Sequence, residues 1–278
     1  MRNFDLHCHS NVSDGMLAPA TVAARAKARG VDVWALTDHD EVSGIAEARA
    51  AAASLGLAFI PGVEISITWA GQTVHIVGLQ IDERNAELQR GLASTRSGRE
   101  LRAREMAEQL AAAGIPDAFE GALRYAGNPD LISRTHFARY IIDRGVCHDV
   151  PSVFRHYLIE GKPGYVPHRW ATLQQAVGWI KGAGGVAVIA HPGRYKFDAM
   201  AYDALFDEFK RLGGTAIEVI TGSHTPDQYD EYAKVAQRYG FLASRGSDFH
   251  GPGESRVDLG ELPALPASVK PVWHDWTV

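Results

Sequence analysis

Apolar and polar positions along the first 90 residues form alternating strand and helix patterns. Short apolar runs predict strands at residues 3–9, 31–38, 57–69 and 72–81. Between them, segments with helical periodicity predict helices at residues 19–30 and 43–56. Gly30 and Gly56 suit helix C-termini, and Ser43 suits an N-cap. The Ala70–Gly71 segment predicts a short turn that pairs the last two strands.

The same alternation returns in the second half of the chain. Helices are predicted at residues 172–184, 202–213 and 226–240, and strands at residues 186–192, 216–220 and 241–248. Strands that alternate with helices of this length indicate parallel βα units. Residues between about 95 and 165 instead carry helical segments without an apolar strand run. The pattern predicts an α/β barrel in two parts, 1–95 and 167–278, separated by a helical insertion at 96–166 and closed by a C-terminal tail.

Composition narrows the class of protein. Of the 278 residues, 46% are hydrophobic and 22% are charged, which is ordinary for a globular protein. The net charge of −5 argues against general binding to duplex DNA. Two cysteines give no disulfide framework, so a reducing compartment is expected. We expect no signal peptide, no membrane span, no obligate protein partner and a cytoplasmic location.

Side chains that bind metals fall at or close to the ends of the predicted strands. These nine residues are His7, His9, Asp14, His39, Glu64, His75, His191, Asp248 and His250. Because a parallel α/β barrel brings the carboxyl ends of its strands to one mouth, we expect all nine to share one site. The predicted fold therefore indicates one metal centre formed by residues that are far apart in the sequence.

Each of these residues also has a structural explanation when it is considered alone. His75 within an apolar strand is more often a core histidine than a ligand, and Asp14 before Gly15 suits a turn. The His7–Cys8–His9 spacing is more specific, since residues two apart in a strand share a face. Asp38 and Asp40 are predicted to orient the imidazoles as hydrogen-bond acceptors. Only the joint pattern favours a metal site.

The number of donors predicts more than one ion. Nine donors exceed what a single tetrahedral or octahedral ion takes from a protein. Two ions would use six or seven donors, and three would use all nine if one carboxylate bridges. Mixed imidazole and carboxylate ligands favour Mn²⁺, with Zn²⁺ or Fe²⁺ as alternatives. Clustered ions of this kind suit hydrolysis by metal-activated hydroxide attack at phosphorus.

The ordered motifs HxH, TDHD, GVE, AHP and SDFHG resemble those of the PHP (polymerase and histidinol phosphatase) superfamily. The resemblance covers both predicted barrel parts and implies a distorted seven-stranded (β/α) barrel with a trinuclear metal centre. The ligands it implies are His7, His9, Glu64 and Asp248 for one ion, Glu64, His75 and His191 for a second, and Asp14, His39 and His250 for a third.

Within that superfamily, the insertion resembles nucleoside 3′,5′-bisphosphate phosphatases and related 5′–3′ exoribonucleases. The motifs are LISRTHFARYI, YLIEGKPGYVP and AHPGRY. Arg134, His136, Lys162 and Arg194 are the predicted substrate-binding residues, since guanidinium and ammonium groups bind phosphate. Arg134 and Arg194 are predicted to clamp a phosphate, and His136 is a candidate to protonate the leaving hydroxyl. The substrate is expected to be a small bisphosphate nucleotide or a short single-stranded 5′-phosphorylated RNA.

Three alternatives remain open at this point. The first is another PHP phosphatase, such as one acting on histidinol phosphate, although that group lacks a helical insertion of this kind. The second is an amidohydrolase-like C–N hydrolase, which also builds metal sites from HxH. Asp14 and the candidate phosphate-binding arginines argue against it. The third is a non-catalytic metal-binding PHP module, which the complete ligand set disfavours.

Overall fold

The computed structural model describes residues 2–277. Its strands are β1 (Phe4–Asp5), β2 (Val33–Leu36), β3 (Ala58–Trp69), β4 (Gln72–Leu79), β5 (Val186–Ile189), β6 (Ala216–Thr221) and β7 (Leu242–Gly246). The α-helices of the first half are α1 (Pro19–Ala28), α2 (Ile45–Ser54), α3 (Ala86–Arg96), α4 (Arg99–Ala112) and α5 (Ala118–Leu123). Those that follow are α6 (Arg134–Asp143), α7 (Val150–Val153), α8 (Leu173–Gly182), α9 (Ala199–Leu212) and α10 (Pro226–Tyr239).

The seven strands lie in sequence order and close into a barrel. Hydrogen bonds between the chain segments that follow β1 and β7 make the closure. The Leu6 amide donates to Arg245 O at 3.0 Å, and the His9 amide donates to Phe249 O at 2.8 Å. The predicted seven-stranded α/β barrel is therefore confirmed, and the two segments that complete it carry HxH and SDFH.

One strand of the barrel runs against the others. β4 is antiparallel to both β3 and β5, whereas the remaining neighbours pair in parallel. Ala70 and Gly71 connect β3 to β4, with φ values of 46° and 77°. Two consecutive residues with positive φ match the twist of a two-residue hairpin. The reversal brings the beginning of β4, rather than its end, to the mouth of the barrel.

Helix boundaries follow the predicted signals with one exception. Gly30 and Gly56 have φ values of 76° and 59° just after α1 and α2, as expected for helix C-termini. Ser43 is not an N-cap, because Gly44 occupies that position before α2. The Glu41 carboxylate instead accepts hydrogen bonds from the Val42 and Ser43 amides. The backbone amides before α2 thus find their acceptor in the Glu41 side chain.

The insertion between the two barrel parts has an apolar core of its own. It contains Met106, Leu110, Phe137, Tyr140 and Leu158, all buried. Leu88 and Leu92 of α3 belong instead to the barrel core together with Leu173 and Val177 of α8. The division of the chain into a barrel and an insertion at residues 96–166 stays a prediction.

The C-terminal tail packs on the barrel. Trp273 stacks on Phe4 with ring centroids 4.2 Å apart, and Val272 is buried beside them. The Val272 amide donates to Ala243 O at 2.9 Å, which ties the tail to β7. Among residues 2–277, no helix combines the length and the apolar composition needed to cross a membrane.

Candidate metal centre

The structure brings all nine predicted ligands to one mouth of the barrel. His7, His9 and Asp14 follow β1, His39 follows β2, Glu64 lies in β3, His75 lies in β4, His191 follows β5, and Asp248 and His250 follow β7. The expectation of C-terminal strand ends is wrong for His75, the fourth residue of β4. Because β4 runs antiparallel, its first half lies beside the carboxyl ends of its neighbours, and Ser66 of β3 pairs with His75.

Two of these residues have a backbone conformation that side chains other than glycine rarely adopt. The φ of His191 is 26° and that of Asp248 is 55°. Each strained residue is held by a hydrogen bond from its own amide. The His191 amide donates to Glu218 Oε2 at 2.6 Å, and the Asp248 amide donates to His7 O at 2.8 Å. Such strain persists where the surroundings fix it, and it aims both side chains into the site.

The Glu64 carboxylate lies at the centre of the imidazoles and is fully buried. Its two oxygens approach five histidine rings. Oε1 lies 3.0 Å from both His75 Nδ1 and His191 Nε2, while Oε2 lies 3.0 Å from His39 Nδ1 and 3.2 Å from both His7 Nε2 and His9 Nε2. A carboxylate with this many ligand neighbours suits a bridge between ions.

The ligand atoms form three overlapping groups, each compact enough to hold one ion. Within each group, these atoms lie within 4.8 Å of one another. The groups are His7, His9, Glu64 and Asp248; His39, Glu64 and His75; and His9, Asp14, His39 and His250. His191 adjoins the second group through Glu64. Two residues belong to one more group than the family resemblance implies. His9 also joins the group of Asp14 and His250, and His39 also joins the group of Glu64 and His75.

Within residues 2–277, several of these buried ligand atoms lie close to one another but form no well-directed hydrogen bond. They include Asp14 Oδ1, Glu64 Oε2, His39 Nδ1 and His75 Nδ1. Leaving buried polar atoms unsatisfied costs about 1–3 kcal/mol each, so native proteins almost always pair them. Bound divalent cations would give each of these four atoms a partner, since each lies in a compact group of potential metal-ligand atoms. The residues present therefore fit bound metal ions.

The same cluster perturbs the protonation of its members. Burial opposes ionisation of the Glu64 and Asp248 carboxyls, but the surrounding histidines outweigh it and hold the pKa of both well below the usual range. Burial likewise lowers the pKa of His7 and His9, but the adjacent carboxylates dominate. They raise the pKa of His9 to about 10 and that of His7 well above its usual value. In the absence of metal, the adjacent carboxylates therefore favour the protonated form of both imidazoles.

Metal binding is expected to release about two protons per chain near pH 7.5, because His7 and His9 must become neutral to act as ligands. Affinity should therefore weaken as the pH falls and strengthen as it rises towards the raised pKa of His9. Calorimetric titration of the metal-free protein in buffers with different ionisation enthalpies measures this proton count. A binding heat that is the same in every buffer would contradict it.

Glu218 orients two of the ligands and was missed by the sequence interpretation. Its Oε1 lies 2.8 Å from His7 Nδ1, and its Oε2 accepts the His191 amide at 2.6 Å. Carboxylates in this position fix the ring orientation of metal-binding histidines. The available signal was a glutamate inside the apolar strand AIEVI, where a carboxylate is costly to bury without a partner.

Asp38 and Asp40 do not have the predicted role. Asp38 accepts hydrogen bonds from the Ser10 amide, Ser10 Oγ and Ser13 Oγ, which fixes the loop after β1. Asp40 accepts the Ser66 amide and pairs with the buried Arg99. Both carboxylates therefore hold neighbouring segments of the chain in place. Within residues 2–277, neither is hydrogen-bonded to an imidazole.

Four arginines line the cavity that contains the metal-ligand cluster: Arg99, Arg102, Arg134 and Arg194. Arg134 and Arg194 were predicted from the sequence. Arg99 and Arg102 come from the first turn of α4, and their guanidinium groups lie over the Trp170 ring at 4.6 and 5.6 Å. Burial, with Arg134 and Arg99 nearby, lowers the pKa of Arg102 to about 9. An anion placed among these cations would relieve their mutual repulsion.

The structure does not bring Lys162 or His136 to this cavity wall. Lys162 is exposed on a turn in which its amide donates to Ile159 O at 3.0 Å. His136 is fully buried, and its Nδ1 accepts the Ser133 amide at 3.0 Å to cap α6. Burial lowers the pKa of His136 to about 4, so the ring is neutral. In place of the predicted substrate contact, His136 positions the start of the helix that carries Arg134.

Comparison with known proteins agrees with the geometry. A family model described as the PHP domain matches residues 5–238. The chain is 52% identical to a 3′,5′-nucleoside bisphosphate phosphatase of Chromobacterium violaceum, over 99% of this chain and 96% of the relative. It is 42% identical to the 5′-3′ exoribonuclease Rnm of Salmonella typhimurium, over 98% and 93%.

A solved structure has nearly the same fold. It is that of an amidohydrolase from Chromobacterium violaceum with bound sulfate and no metal, 52% identical, with a TM-score of 0.96 over 98% of this chain and 95% of that one. The family match extends over most of the chain and the relatives align along almost its full length. The chain therefore belongs to the PHP family.

Proposed function

We propose that this protein is a metal-dependent phosphoesterase that removes the 3′-phosphate of nucleoside 3′,5′-bisphosphates. We also propose that it releases 5′ nucleotides from short 5′-phosphorylated RNA. The observation that carries both is a single cavity lined by the metal-ligand cluster and by four arginines. The names of two relatives, one a bisphosphate phosphatase and one a 5′-3′ exoribonuclease, support the same substrates.

Three divalent ions are the proposed complement, with Mn²⁺ favoured by the mixed imidazole and carboxylate donors. The first would be held by His7, His9, Glu64 and Asp248, the second by Glu64, His75 and His191, and the third by Asp14, His39 and His250. When bound, such ions activate water and neutralise the charge that develops on a phosphoryl group.

The arginines account for recognition of the substrate. Arg194 extends from the loop after β5, and its side chain is half exposed while Nη1 lies 3.1 Å from Asp248 Oδ2. From this position its guanidinium can donate two hydrogen bonds to a phosphate beside the cluster. Arg134, Arg99 and Arg102 lie on the wall formed by the insertion and would bind the second phosphate of a bisphosphate substrate. A neutral phosphoester or an amide would offer no anion to Arg102 and Arg134, which form no ion pair within residues 2–277.

A panel of substrates tests the proposal. The manganese-loaded protein should release phosphate from adenosine 3′,5′-bisphosphate and mononucleotides from 5′-phosphorylated RNA oligomers. Histidinol phosphate, which has one phosphate, should be hydrolysed at least about tenfold less efficiently in kcat/KM, since a lost charged contact is worth about that much. Protein stripped of metal by a chelator is the control. Equal turnover of all three substrates, or of none, would refute the proposal.

A further inference from the structure

A second cavity, here called the cleft, opens beside the metal centre. Its volume is about 400 Å³, within the range of about 300–1,000 Å³ that small-molecule sites occupy. Its walls include Val150 and Pro151 of α7, Gly222 and Ser223 after β6, and Arg256 after β7. The cleft is several times larger than the arginine-lined cavity, whose volume is about 110 Å³.

The cleft adjoins the arginine-lined cavity, which contains the metal-ligand cluster, and extends from it towards β6 and β7. Ser66 and Thr73, from β3 and β4, line only the arginine-lined cavity, whereas several residues after β6 and β7 line only the cleft. In a closed barrel whose seven strands follow sequence order, these two pairs of strands face each other across the mouth. Arg194, Asp248 and His250 line both cavities. A ligand held at the cluster can therefore extend in two directions.

The unpaired charge of the cleft is positive. Arg256 is exposed and, within residues 2–277, forms no ion pair. Glu254 also lines the cleft, but Arg139 neutralises it through two hydrogen bonds of 2.7 Å. Asp248 is already paired with Arg194. The cleft thus offers the free cation of Arg256 to a polyanion, and its carboxylates are already paired.

We infer that the cleft binds the nucleotide that follows the scissile phosphate in an oligoribonucleotide. This inference rests on the proposed function. If the first nucleotide lies in the arginine-lined cavity with its 5′-phosphate at the insertion wall and its 3′-phosphate at the cluster, the chain beyond the scissile phosphorus can continue into the adjoining cleft. Arg256 at its edge would contact the next phosphate. A nucleoside bisphosphate ends at the scissile phosphate and leaves the cleft empty.

The reaction is the same hydrolysis for both substrates. The oxygen of water forms a bond to phosphorus, the bond between phosphorus and the 3′ oxygen breaks, and the 3′ oxygen takes a proton. With a bisphosphate, the products are inorganic phosphate and a nucleoside 5′-monophosphate. With RNA, they are a nucleoside 5′-monophosphate and a chain shortened by one nucleotide that has a new 5′-phosphate. The shortened chain can then be bound again in the same way.

Charge reversal at Arg256 tests the inference. The metal-loaded Arg256→Glu variant should hydrolyse adenosine 3′,5′-bisphosphate within about twofold of the wild-type kcat/KM. Its kcat/KM for 5′-phosphorylated triadenylate should fall about tenfold, and the salt dependence of that value should become shallower, as expected when one phosphate contact is lost. Arg211→Glu, at the end of α9 and so at the opposite end of the barrel, is the matched control and should affect neither substrate.

The outcomes separate this inference from the proposed function. A selective loss on triadenylate supports the cleft. An equal loss on both substrates would mean that the cleft holds the nucleoside of the bisphosphate itself, and no loss on either would leave the cleft without a role; both results overturn the inference while the proposed function stands. If the wild type hydrolyses the bisphosphate but not RNA, the cleft assignment fails alone. If it hydrolyses neither, the proposed function fails and the inference with it.

Discussion

Replacing Glu64 by glutamine is expected to remove most of the bound metal and to lower kcat/KM for adenosine 3′,5′-bisphosphate by at least about 10³-fold, because two of the three ligand groups contain this carboxylate. Both of its oxygens lie 3.0–3.2 Å from imidazole nitrogens. Glutamine has nearly the same volume but presents an amide N–H₂ group, which cannot bind a cation. Elemental analysis after metal loading and dialysis, together with phosphate release, measures both effects.

Glu218→Gln is the matched control, since Glu218 is equally buried and touches the outer nitrogen of His7. It should weaken metal affinity or activity by only about 10–100-fold, the range typical of a lost contact behind a ligand. Circular dichroism of both metal-free variants shows whether the barrel is folded. A Glu64→Gln protein that keeps three ions and wild-type activity would exclude the bridging assignment.

The barrel, and with it the position of the nine candidate ligands at one mouth, could be predicted because the strand and helix signals are local. Strand alternation and helix periodicity follow from the backbone geometry of short segments, and HxH places two imidazoles on one face by that geometry alone. Glu64 and Glu218 carry a related signal, since a carboxylate inside an apolar strand is costly to bury without partners. Reading the second glutamate in the same way would have identified Glu218.

Two arginines of the insertion could not be predicted, because the signal that would place them is not local. Arg99 and Arg102 lie at the start of an ordinary charged helix, and only the packing of the insertion against the barrel brings them to the cavity. The position of Lys162 at the cavity was predicted from its Gly/Pro-rich turn, but the structure places this turn in solvent. The orientation of an insertion depends on tertiary contacts such as the Arg99–Asp40 pair, which leave no periodic trace in sequence. Arg99 and Arg102 were therefore the least predictable of the residues that line the cavity.

Arg194→Ala is expected to keep its full complement of metal while kcat/KM for adenosine 3′,5′-bisphosphate falls about 10²-fold, as when a donor to a developing negative charge is removed. Arg194 follows the ligand His191 by three residues, but its guanidinium approaches a ligand only through Asp248 Oδ2 at 3.1 Å. Because the side chain is half exposed, removing this ion pair should cost the fold little. Steady-state kinetics and elemental analysis of the same preparation give both numbers.

Two further variants show whether the effect comes from the shape of the guanidinium or from its charge. Arg194→Lys keeps the charge but loses the two-pronged donor, so it should recover only part of the activity. Arg238→Ala removes an exposed arginine of α10 and should leave metal content and kinetics unchanged. Loss of metal in Arg194→Ala would place Arg194 in the support of the metal centre through Asp248. Retention of metal with weakened turnover assigns it to the phosphate, because only a group that contacts substrate separates the two measurements in this way.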